Sequence, residues 1–293
     1  MKAAPFEYSR PADIEEACAL LAADDGARAI AGGQTLVPMM AMRLARPTRL
    51  VDIARIAELS FIRAEGDAVA FGAATRQCLI ERDALARTRL PLIARALPHI
   101  GHAATRARGT IGGSLAHADP AAELALAAVT LDATLYYRSA SETGQIAARD
   151  FFLGPTITAL PMGALLTEIR VPAWSGKVGV GFHEVNARAS DFAFVSAAAQ
   201  VELADDGTAN RIAIGVGAIA DVPLHLDAAA EALRGTDLSP ATVTEAVRAA
   251  LADVETVADL HASADYRRRV AATLAARAVA DARAHATGGA HAR

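Results

Sequence analysis

The amino-acid sequence predicts an α+β fold arranged as two successive parts. Three observations carry this prediction: a β/α unit opens the chain, hairpin strands begin near residue 61, and a β meander followed by helices begins near residue 178. The chain has 293 residues, of which 53% are hydrophobic and 21% are charged. This length and composition suffice for two compact globular domains.

The opening β/α unit is predicted to cover residues 1–56. Apolar residues recur at helical spacing from Ile14 to Leu21, which places Cys18 on the buried face of an amphipathic helix. Two short strands are also predicted for this unit, at residues 29–31 and 50–53, with a helical turn between them at residues 37–44.

The middle part of the first domain, residues 57–173, is predicted to contain an antiparallel layer. Two short apolar runs flank Gly66, which is the pattern of a β-hairpin. Asp119 and Pro120 precede an apolar helical stretch and are placed to cap and start it, whereas residues 109–119 are predicted to form a loop between helices. The remaining predicted helices and strands lie at residues 77–86, 92–97, 121–129, 131–138 and 165–171.

A stretch at residues 172–177 has the composition of a linker and separates a first domain, residues 1–173, from a second domain, residues 178–286. In the second domain, the DDG sequence at residues 205–207 predicts a hairpin turn within a three-stranded antiparallel sheet. Its predicted strands and helices lie at residues 181–185, 192–203, 209–216, 228–233, 240–252 and 264–284. The last residues, 287–293, are predicted to be a frayed tail.

Charge and cysteine content exclude several classes of protein. The 29 basic and 33 acidic residues give a net charge of −4, so no excess positive field exists to attract a nucleic acid or an anionic membrane. No apolar run approaches the length that spans a bilayer, and we expect a cytoplasmic protein. Two cysteines, Cys18 and Cys78, are too few for an iron–sulfur cluster or a structural zinc site, and the histidines lack metal-binding spacing. Any metal chemistry should therefore belong to another chain.

Three consecutive cations, Arg267 to Arg269, lie near the start of the last predicted helix. Consecutive residues of a helix point in different directions, so we expect these side chains to form a solvated face. Docking of a partner subunit is the alternative.

The sequence AGGQTL at residues 31–36 places two glycines and two polar side chains between a buried strand and a helix start. Glycine lets main-chain N–H groups approach an anion without a Cβ in the way, so a phosphate fits here. The spacing is neither the G-x-G-x-x-G fingerprint of dinucleotide-binding folds nor the Walker pattern. An ordinary tight turn is the alternative for this segment.

A second glycine turn, GTIGGSL at residues 109–115, strengthens the first interpretation. Two such turns with hydroxyl side chains are suited to hold both halves of one pyrophosphate. Asp119 and Glu123 follow, and their carboxylates are candidates to accept hydrogen bonds from sugar or ribityl hydroxyls. The alternative for these two acids is a helix N-terminus, where negative charge is favourable.

Several longer motifs resemble the FAD-binding medium subunit of molybdenum hydroxylases, the group that includes carbon monoxide and xanthine dehydrogenases. AGGQTL with the following Pro38 and Arg43 resembles the first flavin loop of that family, and TRARGTIGGSLAHADPAAE at residues 105–123 resembles the second. RASDFA at residues 188–193 and SADYR at residues 263–267 are similar to its carboxy-terminal half. The resemblance covers nearly the whole chain.

The resemblance implies a two-part FAD-binding domain of the vanillyl-oxidase-like (PCMH-type) fold, followed by the carboxy-terminal domain of such flavoproteins. It implies that Gly-Gly turns hold the pyrophosphate, that Ser114 and Glu123 contact the cofactor further along, and that Leu166 and Phe192 lie near the isoalloxazine. One departure is that His183 and Glu184 stand where the family often has a lysine. The complete set of predicted FAD-binding residues is Ala31, Gly32, Gly33, Gln34, Thr35, Leu36, Thr110, Ile111, Gly112, Gly113, Ser114, Asp119, Glu123, Leu166 and Phe192.

The function implied is electron transfer: FAD would receive electrons from a small subunit with 2Fe-2S clusters and pass them to an external acceptor. Substrate hydroxylation would take place at a molybdenum cofactor in a large subunit, in a dimer of heterotrimers. No side chain of this chain is predicted to be an acid–base catalyst or a metal ligand. The acceptor stays open among NAD, a quinone, a cytochrome and oxygen. The alternatives are a free-standing flavin oxidase with its own organic substrate and a flavin-free scaffold subunit.

Overall fold

The computed structural model describes residues 2–289. The chain opens with a three-stranded parallel sheet of strand order β1-β3-β2, covered by helix α1. Helix α1 begins where the Asp13 carboxylate accepts a hydrogen bond from the Glu16 N–H at 2.8 Å, and its buried face includes Cys18, as predicted. These elements are β1 (Glu7–Ser9), α1 (Ile14–Ala22), β2 (Arg28–Ile30), α2 (Leu36–Ala41) and β3 (Arg49–Asp52).

A five-stranded antiparallel sheet of order β4-β5-β10-β6-β7 forms the centre of the molecule. The predicted hairpin joins its first two strands, and Gly66 adopts a positive φ of 60° at the turn. A small second hairpin, β8 with β9, follows this sheet's edge strand along the chain. The strands are β4 (Ile62–Glu65), β5 (Ala68–Gly72), β6 (Thr134–Arg138), β7 (Thr143–Ala147), β8 (Phe152–Gly154), β9 (Ile157–Thr158) and β10 (Leu165–Pro172).

Short helices pack on this sheet around a core that includes Phe71, Phe151 and the whole apolar length of α8. The predicted helix at residues 77–86 is in fact two helices, because the Asp83 carboxylate accepts the Ala86 N–H at 2.8 Å and starts a second one. The helices are α3 (Gln77–Arg82), α4 (Ala84–Arg89), α5 (Pro91–Ala96), α6 (Ala103–Arg106), α7 (Ile111–His117), α8 (Glu123–Thr130) and α9 (Ala148–Phe151), with 3-10 turns at Ala57–Leu59 and Leu97–His99.

Helix α8 begins two residues later than predicted. Ala122 is its N-cap, and no side chain among the described residues caps it. Asp119 instead closes a preceding turn, since its carboxylate accepts the Ala121 N–H at 2.9 Å. The expected helix start at Asp119 and Pro120 is therefore wrong, and Glu123 occupies the first position of the helix.

The carboxy-terminal part is the predicted antiparallel meander, with a two-residue fourth strand added at its edge. Helix α12 lies very close to this sheet, because Cβ atoms at Gly179 and Gly181 would stand 2.0 and 2.1 Å from carbonyl oxygens of the helix. The elements are β11 (Lys177–Asn186), β12 (Ala193–Leu203), β13 (Ala209–Gly217), β14 (Leu224–His225), α10 (Asp227–Leu233), α11 (Pro240–Leu251) and α12 (Ala264–Ala286). The fold class predicted from the sequence is confirmed.

Helix α8 joins the two sheets. On the carboxy-terminal side it lies so close to β13 that a Cβ at Gly215 would stand 2.1 Å from the Thr130 hydroxyl. Val180 and Phe182 of β11 also belong to the same core as α8. Within residues 2–289, no helix is both long and apolar enough to cross a membrane. Residues 290–293 of the predicted frayed tail lie outside the described part of the chain.

Candidate functional site

A cavity of about 770 Å³ lies between the opening β/α unit, helix α7, strand β10 and the loop that joins β11 to β12. This volume lies within the range of natural small-molecule and cofactor sites. Most residues predicted for the site line it: Ala31, Gly32, Gly33, Gln34, Thr35, Leu36, Thr110, Gly112, Gly113, Ser114, Asp119, Glu123, Leu166 and Phe192. Among the described residues predicted for the site, only Ile111 lies elsewhere, because its side chain is buried in the central core.

The first glycine turn follows the predicted order of strand, turn and helix. It leaves the end of β2, and Gly33 takes a positive φ of 69°, a conformation that residues with a Cβ rarely adopt. The Gln34 side chain folds back and donates to the Gly32 carbonyl at 3.2 Å. Thr35 then leads into α2 without using its hydroxyl as a cap within the described structure.

The main-chain N–H groups of this turn are its distinctive feature. Those of residues 33–36, four in succession, have no hydrogen-bond acceptor among the described residues. The next amide, that of Val37, donates to the Gly33 carbonyl at 3.1 Å and starts the helical bonding pattern. Four consecutive unpaired donors on the wall of a cavity suit a ligand with anionic oxygens.

The second glycine turn is not the predicted loop. Its glycines form the first turn of helix α7, which begins at Ile111 with Thr110 as the N-cap. The N–H groups of Ile111 and Gly112 donate to the Thr75 and Ala73 carbonyls at 3.1 and 2.9 Å. The prediction of a loop at residues 109–119 is therefore wrong, because acceptors on the segment after β5 complete the helix start.

The next two N–H groups of α7 are also paired. That of Gly113 donates to the Thr110 hydroxyl at 3.1 Å, and that of Ser114 donates to the Thr110 carbonyl at 3.1 Å. The second turn therefore lines the cavity, with Ser114 among its residues, without offering a row of unpaired N–H groups.

The two glycine turns contact each other through their main chains. A Cβ on Gly32 would lie 2.2 Å from the carbonyl oxygen of Arg108, just before the second turn. A Cβ on Gly112 would lie 2.6 Å from the carbonyl oxygen of Ala73. Glycine at these two positions is needed for close packing, and neither has a positive φ.

A group of acidic side chains follows the second turn along the cavity. Asp119 and Glu123 both line it, and burial raises the pKa of Glu123 to about 7, with a further increase from the nearby Glu184 carboxylate. The raised pKa favours the protonated carboxyl, which can donate a hydrogen bond to a ligand.

His183 and Glu184, where the resemblance led us to expect a lysine, lie outside the cavity lining defined by the described residues. The His183 ring bonds the Asp281 carboxylate of α12 at 3.0 Å. Glu184 accepts the Asn186 amide at 2.8 Å and lies 3.3 Å from His99. The partners of both side chains thus lie outside the cavity lining defined by the described residues.

An apolar wall is formed near the loop between β11 and β12. Leu166 is buried, whereas the ring of Phe192 is 72% exposed, although both line the cavity. An exposed aromatic ring at the mouth of a cavity is suited to cover a flat ring system.

Several polar residues that line the cavity are absent from the predicted set, among them Gln77, Arg28 and Arg46. The Gln77 side chain is buried, and its Oε1 atom has no hydrogen-bond partner among the described residues. Arg28 and Arg46 contribute positive charge near the first glycine turn. No local motif marks these residues: Arg28 lies in β2, just before the first glycine turn, whereas Gln77 is brought to the cavity by the packing of a distant segment.

The observed groups fit FAD. Unpaired N–H groups and two arginines suit its pyrophosphate, polar side chains suit its ribityl hydroxyls, and the wall with Leu166 and Phe192 suits its ring. Among residues 2–289, no cluster of His, Cys, Asp or Glu is arranged to hold a metal ion.

Comparisons with known proteins agree with this geometry. Residues 4–174 match the family described as FAD binding domain in molybdopterin dehydrogenase, and residues 181–282 match the CO dehydrogenase flavoprotein C-terminal domain. The chain is 36% identical to the nicotine 6-hydroxylase medium subunit of Paenarthrobacter nicotinovorans, over 96% of this chain and 99% of that protein. It is also 36% identical to the carbon monoxide dehydrogenase medium chain of Afipia carboxidovorans, over 96% and 98% of the two chains.

Solved structures give the same result. A chain of carbon monoxide dehydrogenase from Hydrogenophaga pseudoflava, solved without the Mo-pyranopterin moiety of the molybdenum cofactor, superposes with a TM-score of 0.93 at 35% identity. The match covers 97% of this chain and 99% of that chain. Quinoline 2-oxidoreductase from Pseudomonas putida 86 also gives a TM-score of 0.93, at 33% identity over 98% and 99% of the two chains. The chain therefore belongs to the family of FAD-binding medium subunits of molybdenum hydroxylases, which are oxidoreductases.

Proposed function

We propose that this medium subunit takes electrons from an iron–sulfur partner subunit onto FAD and delivers them to an external acceptor. When bound, FAD supplies a group that exchanges electrons either singly or in pairs. The observation that carries this proposal is the cavity itself: it offers a row of unpaired main-chain donors and an exposed aromatic wall.

The residues around the cavity are assigned separate tasks in this proposal. The N–H groups of residues 33–36 hold the pyrophosphate, with support from Arg28 and Arg46. Thr110 fixes the start of α7, so that Ser114 stands at the cavity wall. Four further residues of the predicted set contact the ribityl and ring portions: Asp119, Glu123, Leu166 and Phe192.

Electrons have to arrive from a different chain. Cys18 is buried, and its thiol donates to the Arg138 carbonyl at 3.3 Å, so it is not available to a cluster. Cys78 is the only other cysteine of the sequence. We therefore propose a small subunit with 2Fe-2S clusters and a large subunit with the molybdenum cofactor as partners, assembled as a dimer of heterotrimers.

The domain division proposed with this function is an FAD-binding domain at residues 1–173 and a carboxy-terminal domain at residues 178–286. The two parts meet at α8 and at the wall that carries Phe192, so both are needed to enclose the cavity. The cytoplasmic location stays a prediction from the sequence.

The proposal is tested by purifying the chain alone and with its co-expressed partners. The chain alone should bind FAD in preference to FMN, because FMN lacks the pyrophosphate that the first turn is suited to hold. FAD at about 100 times its dissociation constant should raise the free energy of unfolding by roughly 2.7 kcal/mol. The chain alone should show no substrate-dependent dye reduction, whereas the complex should contain flavin, iron and molybdenum.

The free-standing flavin oxidase stays the second candidate, and the same experiment separates the two. If an organic substrate bleached the flavin of the isolated chain at a rate comparable to that of the complex, the electron-transfer proposal would be wrong. Tight FMN binding or a covalent flavin would instead reject the assignment of the first turn to a pyrophosphate.

A further inference from the structure

Arg267 is a buried cation in the first turn of α12, away from the cavity lining. It is only 4% exposed, which contradicts the prediction that Arg267 to Arg269 form a solvated helix face. Removing a guanidinium from water is unfavourable unless its charge and N–H groups are matched. Its hydrogen-bond partners therefore indicate what the fold gains from this burial.

The guanidinium joins the ends of two strands of the carboxy-terminal sheet. Its Nη1 atom donates to the carbonyl of Phe194, at the start of β12, at 2.6 Å. The same atom donates to the carbonyl of Ala218, just after the end of β13, at 2.7 Å. Its Nε atom is buried and has no partner among the described residues.

Asp259 balances the charge and is itself held in place. The Nη2 atom of Arg267 donates to the Asp259 carboxylate at 2.5 Å. The other carboxylate oxygen accepts the N–H groups of His261 and Ala262 at 2.8 and 2.9 Å. These main-chain bonds and the guanidinium lower the pKa of Asp259 to about 2, so the pair is ionised at neutral pH.

The first strand end held by Arg267 leads directly to the cavity. Phe194 lies two residues after Phe192, whose exposed ring lines the cavity. The Phe194 ring also stacks on His261, with centroids 5.4 Å apart and planes inclined by 11°. The segment that carries Phe192 therefore packs, through Phe194, against the same short loop that contains Asp259.

The second strand end leads to another part of the cavity lining. Ala218 has a positive φ of 63°, which is unfavourable for a residue with a Cβ, and Arg267 bonds its carbonyl in this conformation. The N–H of Ala218 donates to the carbonyl of Pro120 at 2.9 Å. Pro120 lies between Asp119 and Glu123, which both line the cavity.

We propose that Arg267 is a positioning residue for the flavin: one buried guanidinium sets the relative position of the Phe192 wall and the Asp119–Glu123 wall of the cavity. It does not itself reach the cavity lining. The inference rests on the proposed binding of FAD by these two walls. It predicts that the loss of Arg267 changes how FAD is held, beyond any loss of overall stability.

The test compares the parent chain with Arg267→Met, Arg267→Lys and a matched control, Arg268→Met. Arg268 is the next residue of the same helix, but its Nη2 atom donates to the Val254 carbonyl at 2.9 Å, in the segment after α11. For each full-length protein, the FAD dissociation constant is measured by flavin fluorescence. The visible circular dichroism of bound FAD is recorded at saturating FAD, and the melting temperature is recorded without FAD.

Arg267→Met should raise the FAD dissociation constant by about tenfold or more and change the visible circular dichroism of bound FAD. Arg267→Lys should recover part of both properties, because an ammonium group can bond one or both carbonyls. Arg268→Met should keep the parent's dissociation constant within a factor of about two, even if its melting temperature falls. If Arg267→Met fails to fold, the comparison of Arg267→Lys with the control decides the matter in the same way.

Two results would overturn the inference alone: parent-like FAD affinity and dichroism in the Arg267 variants, or an equal loss of affinity in Arg268→Met. A parent chain that binds FAD only weakly and without preference over FMN would instead overturn the proposed site, and the positioning role with it. The measurements on the parent chain therefore separate the two failures.

Discussion

The two glycine turns share the sequence Gly-Gly and a polar neighbour, yet the structure uses them differently. In the first turn, the N–H groups of residues 33–36 have no acceptor among the described residues. In the second, the N–H groups from Ile111 to Ser114 are all paired with Ala73, Thr75 or Thr110. The first turn is thus suited to bind an anion with its main chain, and the second is a rigid support that presents side chains.

This difference shows that a glycine pair has two separate physical uses. Gly33 provides a positive φ of 69°, which shapes the turn. Gly112 provides space, because its missing side chain lets α7 approach the carbonyl of Ala73. Gly32 also provides space, and it is the point at which the two turns contact each other. The following predictions would break or sharpen this comparison.

The largest effect is expected for Gly32→Ala, which pushes the two turns apart. The new Cβ would lie 2.2 Å from the carbonyl oxygen of Arg108, a main-chain atom that cannot rotate away. We expect FAD affinity to fall by about 2–3 kcal/mol, or roughly a hundredfold, as measured by flavin fluorescence titration. Gly66→Ala is the control, since it has a positive φ but no atom within 4 Å of the new Cβ. Equal flavin loss in both variants would point to misfolding instead.

The next prediction concerns the pH dependence of stability rather than FAD affinity, and it involves Glu123, in the acidic segment that follows only the second turn. Its carboxyl has a pKa of about 7 in the folded chain, against the usual value of 4.5 for a glutamate. Folding therefore takes up a proton at pH values between 4.5 and about 7. The stability from this proton is fully present below the lower pKa and is lost as the pH rises through the higher one. Glu123→Gln should remove that loss. The free energy of unfolding of the variant, relative to the parent chain, should be up to about 3 kcal/mol higher at pH 8 than at pH 4.

The measurement for Glu123 is urea unfolding of the FAD-free chain over this pH range. Glu184→Gln is an informative companion, because the Glu184 carboxylate contributes to the raised pKa of Glu123. It should give a smaller change in the same direction. If parent and Glu123→Gln lost stability equally with rising pH, the buried protonated carboxyl would be ruled out.

The next prediction compares the hydroxyl groups of the two turns. Thr110→Val should lower the free energy of unfolding by about 1 kcal/mol, because the Thr110 hydroxyl accepts the Gly113 N–H and caps α7. Thr35→Val should change it by less than about 0.5 kcal/mol, because the exposed Thr35 side chain makes no capping bond in the described structure. Chemical unfolding without FAD checks both values. The comparison fails if the two variants lose equal stability.

The smallest effect is expected for Gly113→Ala. The new Cβ would contact only the Thr110 hydroxyl oxygen, at 2.8 Å, and Gly113 lies outside the positive-φ region. Because the Gly113 N–H is already paired, FAD affinity should weaken by less than about 1 kcal/mol, or roughly fivefold. A loss as large as that of Gly32→Ala would show that the second turn also binds the pyrophosphate through its main chain.

Much of the fold could be predicted from local sequence. Helical spacing placed Cys18 on the buried face of α1, Gly66 marked the first hairpin, and the DDG turn marked the meander. The strands that were not predicted from the sequence are short or lie at sheet edges, such as β1 at Glu7–Ser9 and β7 at Thr143–Ala147. Edge strands bury few side chains, so their period-two pattern is weak.

Part of the candidate site could also be predicted from local sequence. Glycine, hydroxyl and acidic residues near the two turns stand out in the sequence, and all but Ile111 of the predicted set line the cavity among the described residues. The side chain of Ile111 lies outside the lining because helix α7 turns it into the core, whereas a loop was predicted here.

By itself, the sequence determined the longer strands and the places of the glycine-rich segments, because these depend on periodicity and on the conformational freedom of single residues. Only the tertiary structure decided which N–H groups stay unpaired and which charges are buried. The acceptors that complete α7 include carbonyls of Ala73 and Thr75, and the partners of Arg267 include Phe194 and Ala218. These partners are distant along the chain, so no local pattern contains them; folding brings them together, because leaving a buried polar group unpaired is costly.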